Sequence, residues 1–456
     1  MNSGHDRRRR RTADECRSGR RRSWRCGSKD RATTKSATLS GDSNSHRQYQ
    51  DRCCQADDRP AMHQCPPLLL RSYRISRRTG LDTAYTVGRS GMPARYRAEQ
   101  VGSLLRPAEL LQARASYAAL KIPLEELRAK EDDAIRQALE QQRRVGIDIL
   151  SDGEMRRGSW ATDMAEAVDG FVPQRVELEW KGPGGGREGS TLRAAGATLK
   201  KTRKLNAHEL PFLKKHAPGP FKVTVPAPSN FLLASYKAGV TDRFYPTHAD
   251  FLRDLVEIIH DEIQWLVSEG VTYIQLDAPY YSHYLDPTQR ERMRQTERDP
   301  DAEFENGIEG DNSCFRGIPR RNLTLALHVC RGNNRSRWYT EGGYDVIAEK
   351  LFGRLDVDTF LLEYDTQRAG GFEPLRLVPR GKNVVLGLVT TKQPKLESED
   401  ELRLRIDEAA RFIPLENLAL SPQCGFASVA AGNLVSEDDQ WRKLELVVNT
   451  ARKIWE

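Results

Sequence analysis

The chain has 456 residues and a formal net charge of +8, but the charge is unevenly spread. Residues 1–91 carry 21 Lys and Arg against 9 Asp and Glu, whereas the rest of the chain carries 51 against 55. The basic excess therefore belongs to the tail and gives no reason to expect a nucleic-acid partner for the body. No run approaches the ~20 apolar residues of a membrane span.

The tail contains Arg7–Arg11 and Arg20–Arg22, many serines and no sustained apolar period, which predicts disorder. The preferred reading is sequence translated ahead of a start at Met92. A transit peptide is opposed by the acidic residues, and a nucleic-acid-binding arm is the third alternative. Cys16, Cys26, Cys53, Cys54 and Cys65 lie in this tail; the body holds only Cys314, Cys330 and Cys424. That is too few for a disulfide scaffold and suits a reducing, cytoplasmic setting.

In chain order, Tyr96–Ser103 leads to a strand-to-loop position at Gly102 and Ser103, and Pro107 opens a helix to about Leu120. A second helix, rich in strong helix formers, runs from Pro123 to about Arg144. Ile147–Leu150 reads as a strand ending in Ser151-Asp152-Gly153-Glu154, and Lys181–Gly189 as a flexible excursion. Phe221–Val225 is a further strand. Thr247 caps an amphipathic helix to about Gly270, followed by the strand Val271–Leu276 and then Asp277. After a polar helical stretch near Asp286–Phe304 come the strand Leu323–Leu327 and its end, HVCRGN.

The remaining chain alternates: helix near Tyr344–Leu355, strand Thr359–Leu362, short helix near Glu373–Val378, strand Val384–Val389, helix near Glu399–Phe412, strand Leu418–Leu420, and a last helix over about Glu437–Ile454. Alternation of this kind predicts parallel β/α construction. Over residues 92–456 it fits a (β/α)8 TIM-like barrel with insertions better than a doubly wound sheet. Both folds place function at the carboxyl ends of strands.

Several chemically capable residues fall at those ends. His328 and Cys330 are two apart, so on a strand their side chains share a face. Glu363 and Cys424 follow two later strands, and together the four offer N, S, O and S donors. Two thiolates with an imidazole favour zinc over harder cations. The carboxylate is the ligand a substrate thiol could displace. The competing readings are packing for His328 and Cys330, a surface carboxylate or a partner for Arg368 in the case of Glu363, and a small buried hydrophobe for Cys424. Cys314, in a polar insert, reads as an incidental thiol.

Asp277 stands between an apolar strand and a proline, with a turn cap as its alternative role, and Glu154 could instead pair with Arg156 or Arg157. Sharing one cleft, the two acids would suit a cationic amine, with Ser103 and the Gly102 backbone left for a carboxylate. That combination describes a thiol amino acid. His283, Tyr280, Tyr281 and Tyr284 could line its pocket.

The body resembles the catalytic half of cobalamin-independent methionine synthase, and more closely the short single-barrel relatives of that family. The resemblance rests on VGSLLRP (Val101–Pro107), SDGEMRR (Ser151–Arg157), IQLDAP (Ile274–Pro279), HVCRGN (His328–Asn333), LLEYD (Leu361–Asp365) and SPQCGF (Ser421–Phe426). It implies a TIM-like barrel with one catalytic zinc that activates homocysteine for attack on a methyl group, with no bound cobalamin. It places the zinc ligands on His328, Cys330, Glu363 and Cys424, and the homocysteine contacts on Ser103, Glu154 and Asp277. Asp277 and Glu154 also stand as its catalytic pair, orienting the amine. The implied partners are a small-molecule thiol and a methyl donor of the methyl-folate type, with no nucleic acid and no membrane. Two features depart from the long enzyme: it has an additional N-terminal half, and it carries a His-Ser-Pro motif where this chain reads Leu388-Val389-Thr390-Thr391-Lys392. Alternatives are alkyl transfer to another thiol, as in the epoxide–coenzyme M transferases, and a non-catalytic zinc-binding relative.

Overall fold

The computed structural model describes residues 95–456; the expectations for residues 1–91 and for a start at Met92 lie outside the described residues. Six strands form one parallel sheet in sequential order: β3 (Val223–Pro226), β4 (Tyr273–Asp277), β5 (Thr324–Val329), β6 (Thr359–Glu363), β7 (Asn383–Val389) and β8 (Leu418–Pro422). Their near-continuous apolar runs are buried along almost their whole length, as expected for parallel strands covered on both faces. Helices separate them, among them His248–Ser268, whose cap Thr247 accepts the Asp250 N–H at 3.1 Å as predicted. This is an α/β domain consistent with a TIM-like barrel.

The two earliest predicted strands are reduced to single bridges. Ala98 bridges Leu420 of β8, and Leu150 bridges Phe221 just before β3. Asp148 N–H donates to Ala98 O at 3.0 Å, linking the two segments to each other. They are too short to count as strands, because Gly102 and the Ser151–Glu154 turn end them almost at once. Inside the sheet Tyr96, Val101, Ile149, Tyr273, Ala326, Leu361, Val385 and Ala419 form a cluster apart from the main core. Next to it a buried Lys222–Glu99 pair (3.3 Å) takes a hydrogen bond from the Tyr273 hydroxyl.

The segment around Lys181–Gly189 differs most from expectation. It is the turn and first strand residues of a long antiparallel hairpin, β1 (Val168–Trp180) and β2 (Gly186–Lys201). Gly182 and Gly184 take φ of 94° and 62° there, conformations that L side chains resist. The hairpin escaped prediction because both faces of β1 are partly solvated and it contains Pro173, so clean alternation is missing. The polar stretch Asp286–Phe304 resolves into two helices, Pro287–Gln295 and Pro300–Ser313, and Cys314 is buried in the core behind the second. Among the described residues no helix is long and apolar enough to cross a membrane.

Candidate metal and substrate site

The strand register brings the chemistry together. Asp277, the last residue of β4, pairs with His328 in β5, and Cys330 is the first residue beyond β5. Cys424 lies two residues beyond β8. The ligand atoms of His328, Cys330 and Cys424 all lie within 4.8 Å of one another, and all three residues are buried. Gly425 makes this approach feasible: a Cβ there would sit 1.9 Å from Ser103 Oγ. The Phe426 N–H donates to Ser103 O at 2.8 Å, tying the Cys424 loop to the Ser103 loop.

Hydrogen bonding from Cys330 holds the Cys424 thiol well below its usual range, helped by His328 and opposed by burial. Cys330, which donates to that sulfur and is buried, is pushed well up. Both ring nitrogens of His328 are buried, and against the push of that burial its interaction with the Cys424 sulfur raises its pKa. Two buried sulfurs and an imidazole whose ligand atoms lie within 4.8 Å of one another fit a soft or borderline divalent metal.

Glu363 is the predicted ligand that stands apart. It ends β6 fully buried, yet Oε2 accepts the Arg331 N–H at 2.8 Å and Oε1 accepts Arg368 Nε at 2.9 Å. The pairing with Arg368 raised from sequence is thus present. Against the push of burial, Arg368, Lys392 and Arg331 hold its carboxyl below the usual range.

A cavity of about 710 Å³ opens over the cluster and is lined by Ser103, Glu154, Asp277, His328, Cys330 and Cys424. Six of the seven predicted site residues therefore share one chamber. Burial raises the Asp277 carboxyl, opposed by His328 and by Gln275, whose Nε2 donates to Oδ1 at 2.7 Å. Burial also pushes Glu154 up to about 8. Glu154 has φ of 55°, a strained value for a non-glycine residue, and an Asx turn from Asp152 to the Glu154 N–H supports it (2.9 Å). Its predicted alternatives do not hold: Arg156 pairs with Glu131 and Asp132, and Arg157 with Asp163 and Glu209. That Arg157 guanidinium, 2.6 Å from both acids, already neutralises the other converging group, Asp163–His208–Glu209.

Of the suggested pocket residues, Tyr280 and His283 line the chamber, whereas Tyr281 and Tyr284 pack against Phe304. Burial pushes His283 down to about 4 and Tyr280 up to about 12. Sequence reasoning missed four contributors. Arg106 is buried and donates to Glu154 O (2.9 Å) and Ala427 O, bracing both loops; Asn333 Nδ2 donates to Gly425 O at 2.6 Å. Both sit inside noticed motifs and could have been found there. Asn230, which holds Asp277 O at 2.7 Å, and Tyr339, stacked near Tyr280 and His283, carry no local signal. Just beyond β7, Lys392 donates to Gly332 O (2.8 Å) and Asn333 Oδ1 (3.0 Å).

A model of the cobalamin-independent synthase catalytic domain matches residues 97–182 and 228–451. The chain is 37% identical over 373 residues to the uncharacterized protein YxjH of Bacillus subtilis, covering 79% of this chain and 95% of that one. It is 27% identical over 328 residues to a methionine synthase of Pyrococcus abyssi, covering 71% and 84%. A solved structure from Listeria monocytogenes, described as a vitamin-B12 independent methionine synthase, superposes with a TM-score of 0.60 at 27% identity, covering 81% of this chain and 100% of that one.

Proposed function

This chain belongs to the cobalamin-independent synthase catalytic-domain family and is a methyltransferase, and from that premise we propose that it moves a methyl group to homocysteine, forming methionine at a single zinc. The observation that carries the reading is the joint lining of one chamber by a His-Cys-Cys cluster and two buried acids. We assign His328, Cys330 and Cys424 as three zinc ligands and Glu363 as the fourth, exchangeable one. We further take the segments around Ala98 and Leu150 to complete an eight-membered (β/α)8 ring.

Zinc bound there would lower the pKa of a thiol, making a nucleophile available at neutral pH. The protein's own residues then select which thiol enters. Asp277 and Glu154 face the chamber and suit the ammonium of an amino acid; ionising Glu154 against that ammonium releases a proton below about pH 8. Ser103, which lines the same chamber, is assigned to the substrate carboxylate. Tyr280, His283 and Tyr339 form the wall on which a flat methyl donor of the methyl-folate type could stack. Burial lowers His283 to about 4, which disfavours it as the proton donor in place of the long enzyme's histidine.

The second reading, alkyl transfer to a sulfonate thiol such as coenzyme M, is disfavoured by the same acids, because a sulfonate wants cations. Zinc-loaded protein should be given L-homocysteine, coenzyme M and cysteine with 5-methyltetrahydropteroyl mono- and triglutamate, and products identified by mass spectrometry. Methionine as the product supports the proposal. Methylation of coenzyme M alone would replace it with the second reading, and one bound zinc with no turnover of any thiol would indicate a non-catalytic relative.

A further inference from the structure

Glu363 is proposed above as the exchangeable ligand, and its surroundings suggest what makes it so. Its two oxygens already have partners: the Arg331 N–H at 2.8 Å and Arg368 Nε at 2.9 Å. The second is a charge-assisted bond inside the protein, the stronger kind of hydrogen bond. Arg368 is itself clamped. Its Nη2 donates to both oxygens of Asp365, at 2.7 and 2.8 Å, and its guanidinium lies 4.7 Å from the centre of the Trp338 ring. Trp338 is fixed in turn by Glu341 at its indole N–H (2.8 Å) and by backbone bonds with Lys181 at the β1–β2 turn. A Cβ on Gly182 would meet the Trp338 ring at 2.3 Å, so the hairpin turn closes tightly over it. The guanidinium is thus held in place independently of what Glu363 binds.

We infer that Arg368 is a positioning residue that keeps Glu363 a weak and replaceable metal ligand, by retaining a share of its negative charge through a fixed hydrogen bond. The inference rests on the zinc–thiol reading of the site. A thiol entering a metal-loaded site would give its proton to solvent, and its sulfur would take the carboxylate's place. The released Glu363 would then be received by Arg368 and the Arg331 N–H, both already positioned for it. Without Arg368 the carboxylate would lack that second home and would hold the metal more firmly. Ligand strength at a metal is set in this way by partners beyond the ligands themselves.

The test uses full-length Arg368→Gln and Arg368→Lys protein loaded with zinc or with cobalt(II) as a spectroscopic probe. Zinc affinity is read by competition with a chromophoric chelator, and homocysteine affinity from the cobalt–thiolate absorption band. Arg368→Gln is expected to bind zinc about ten-fold more tightly, the reverse of the loss of about ten-fold or more that removing a ligand's hydrogen-bond partner usually brings, and homocysteine about ten-fold more weakly. Arg368→Lys, which restores the charge, should lie between that variant and the parent. Weaker zinc binding in Arg368→Gln, or unchanged homocysteine affinity, would overturn the inference and leave Arg368 a packing residue. A parent protein that takes up neither metal would instead refute the zinc reading, and the inference would fall with it.

Discussion

Replacing Glu154 with glutamine should stabilise the protein while weakening its hold on substrate. Glu154 is 3% exposed and its Oε2 has no hydrogen-bond partner. Burial raises its carboxyl from 4.5 to about 8, Arg157 opposing. Because the folded value lies above the unfolded one, the stabilising contribution is complete below about pH 4.5 and is lost as pH rises towards 8. At ~1.4 kcal/mol per unit, the span from 4.5 to 7 corresponds to about 3 kcal/mol forgone at neutral pH. Glutamine never ionises and avoids that loss. An unpaired amide N–H would return ~1 kcal/mol of it, leaving a net gain of about 2 kcal/mol. Urea denaturation of both proteins from pH 5 to pH 8 measures this directly. The advantage of Glu154→Gln should be small at pH 5 and grow steadily to pH 8. A difference that stays constant across that range, or shrinks, would show that the carboxyl is not held protonated by burial.

Two further outcomes are expected. Gly425→Ala places a methyl group 1.9 Å from Ser103 Oγ and 3.1 Å from Ser103 Cβ, so the hydroxyl must turn away and the Cys424 loop must shift by a few tenths of an ångström; zinc per chain, measured by atomic emission, should fall, while a retained full complement would mean the loop yields freely. Cys424→Ser removes one of the two sulfurs of the cluster and should cut zinc affinity at least ~100-fold in chelator competition, and an unchanged affinity would remove Cys424 from the ligand set.

The parts of the molecule legible from sequence were those where a local pattern and a global constraint agreed. Strands β4, β5, β6 and β8 are apolar runs with Asp277, His328 and Cys330, Glu363 or Cys424 at or just beyond their ends, and parallel strands buried on both faces leave such residues only there. The helix after Thr247 announced both its cap and its apolar stripe. The β1–β2 hairpin stayed hidden because its residues are half-solvated and its Gly-rich turn looks like a linker. Spacing placed Glu363 at a strand end but could not tell which way its carboxylate faces; Arg368, five residues on, decides that through a contact made only in the folded protein. Asn230 and Tyr339 were invisible for the same reason, since their roles depend on distant segments meeting.

On the proposed reading the chamber binds a thiol amino acid through a metal on one side and two acids on the other. Calorimetric titration of L-homocysteine into the zinc-loaded protein, with Asp277→Ala in parallel, tests it most directly. Micromolar-range binding that depends on zinc and is lost in Asp277→Ala is expected. Absence of binding to zinc-replete protein, or binding indifferent to Asp277, would contradict it.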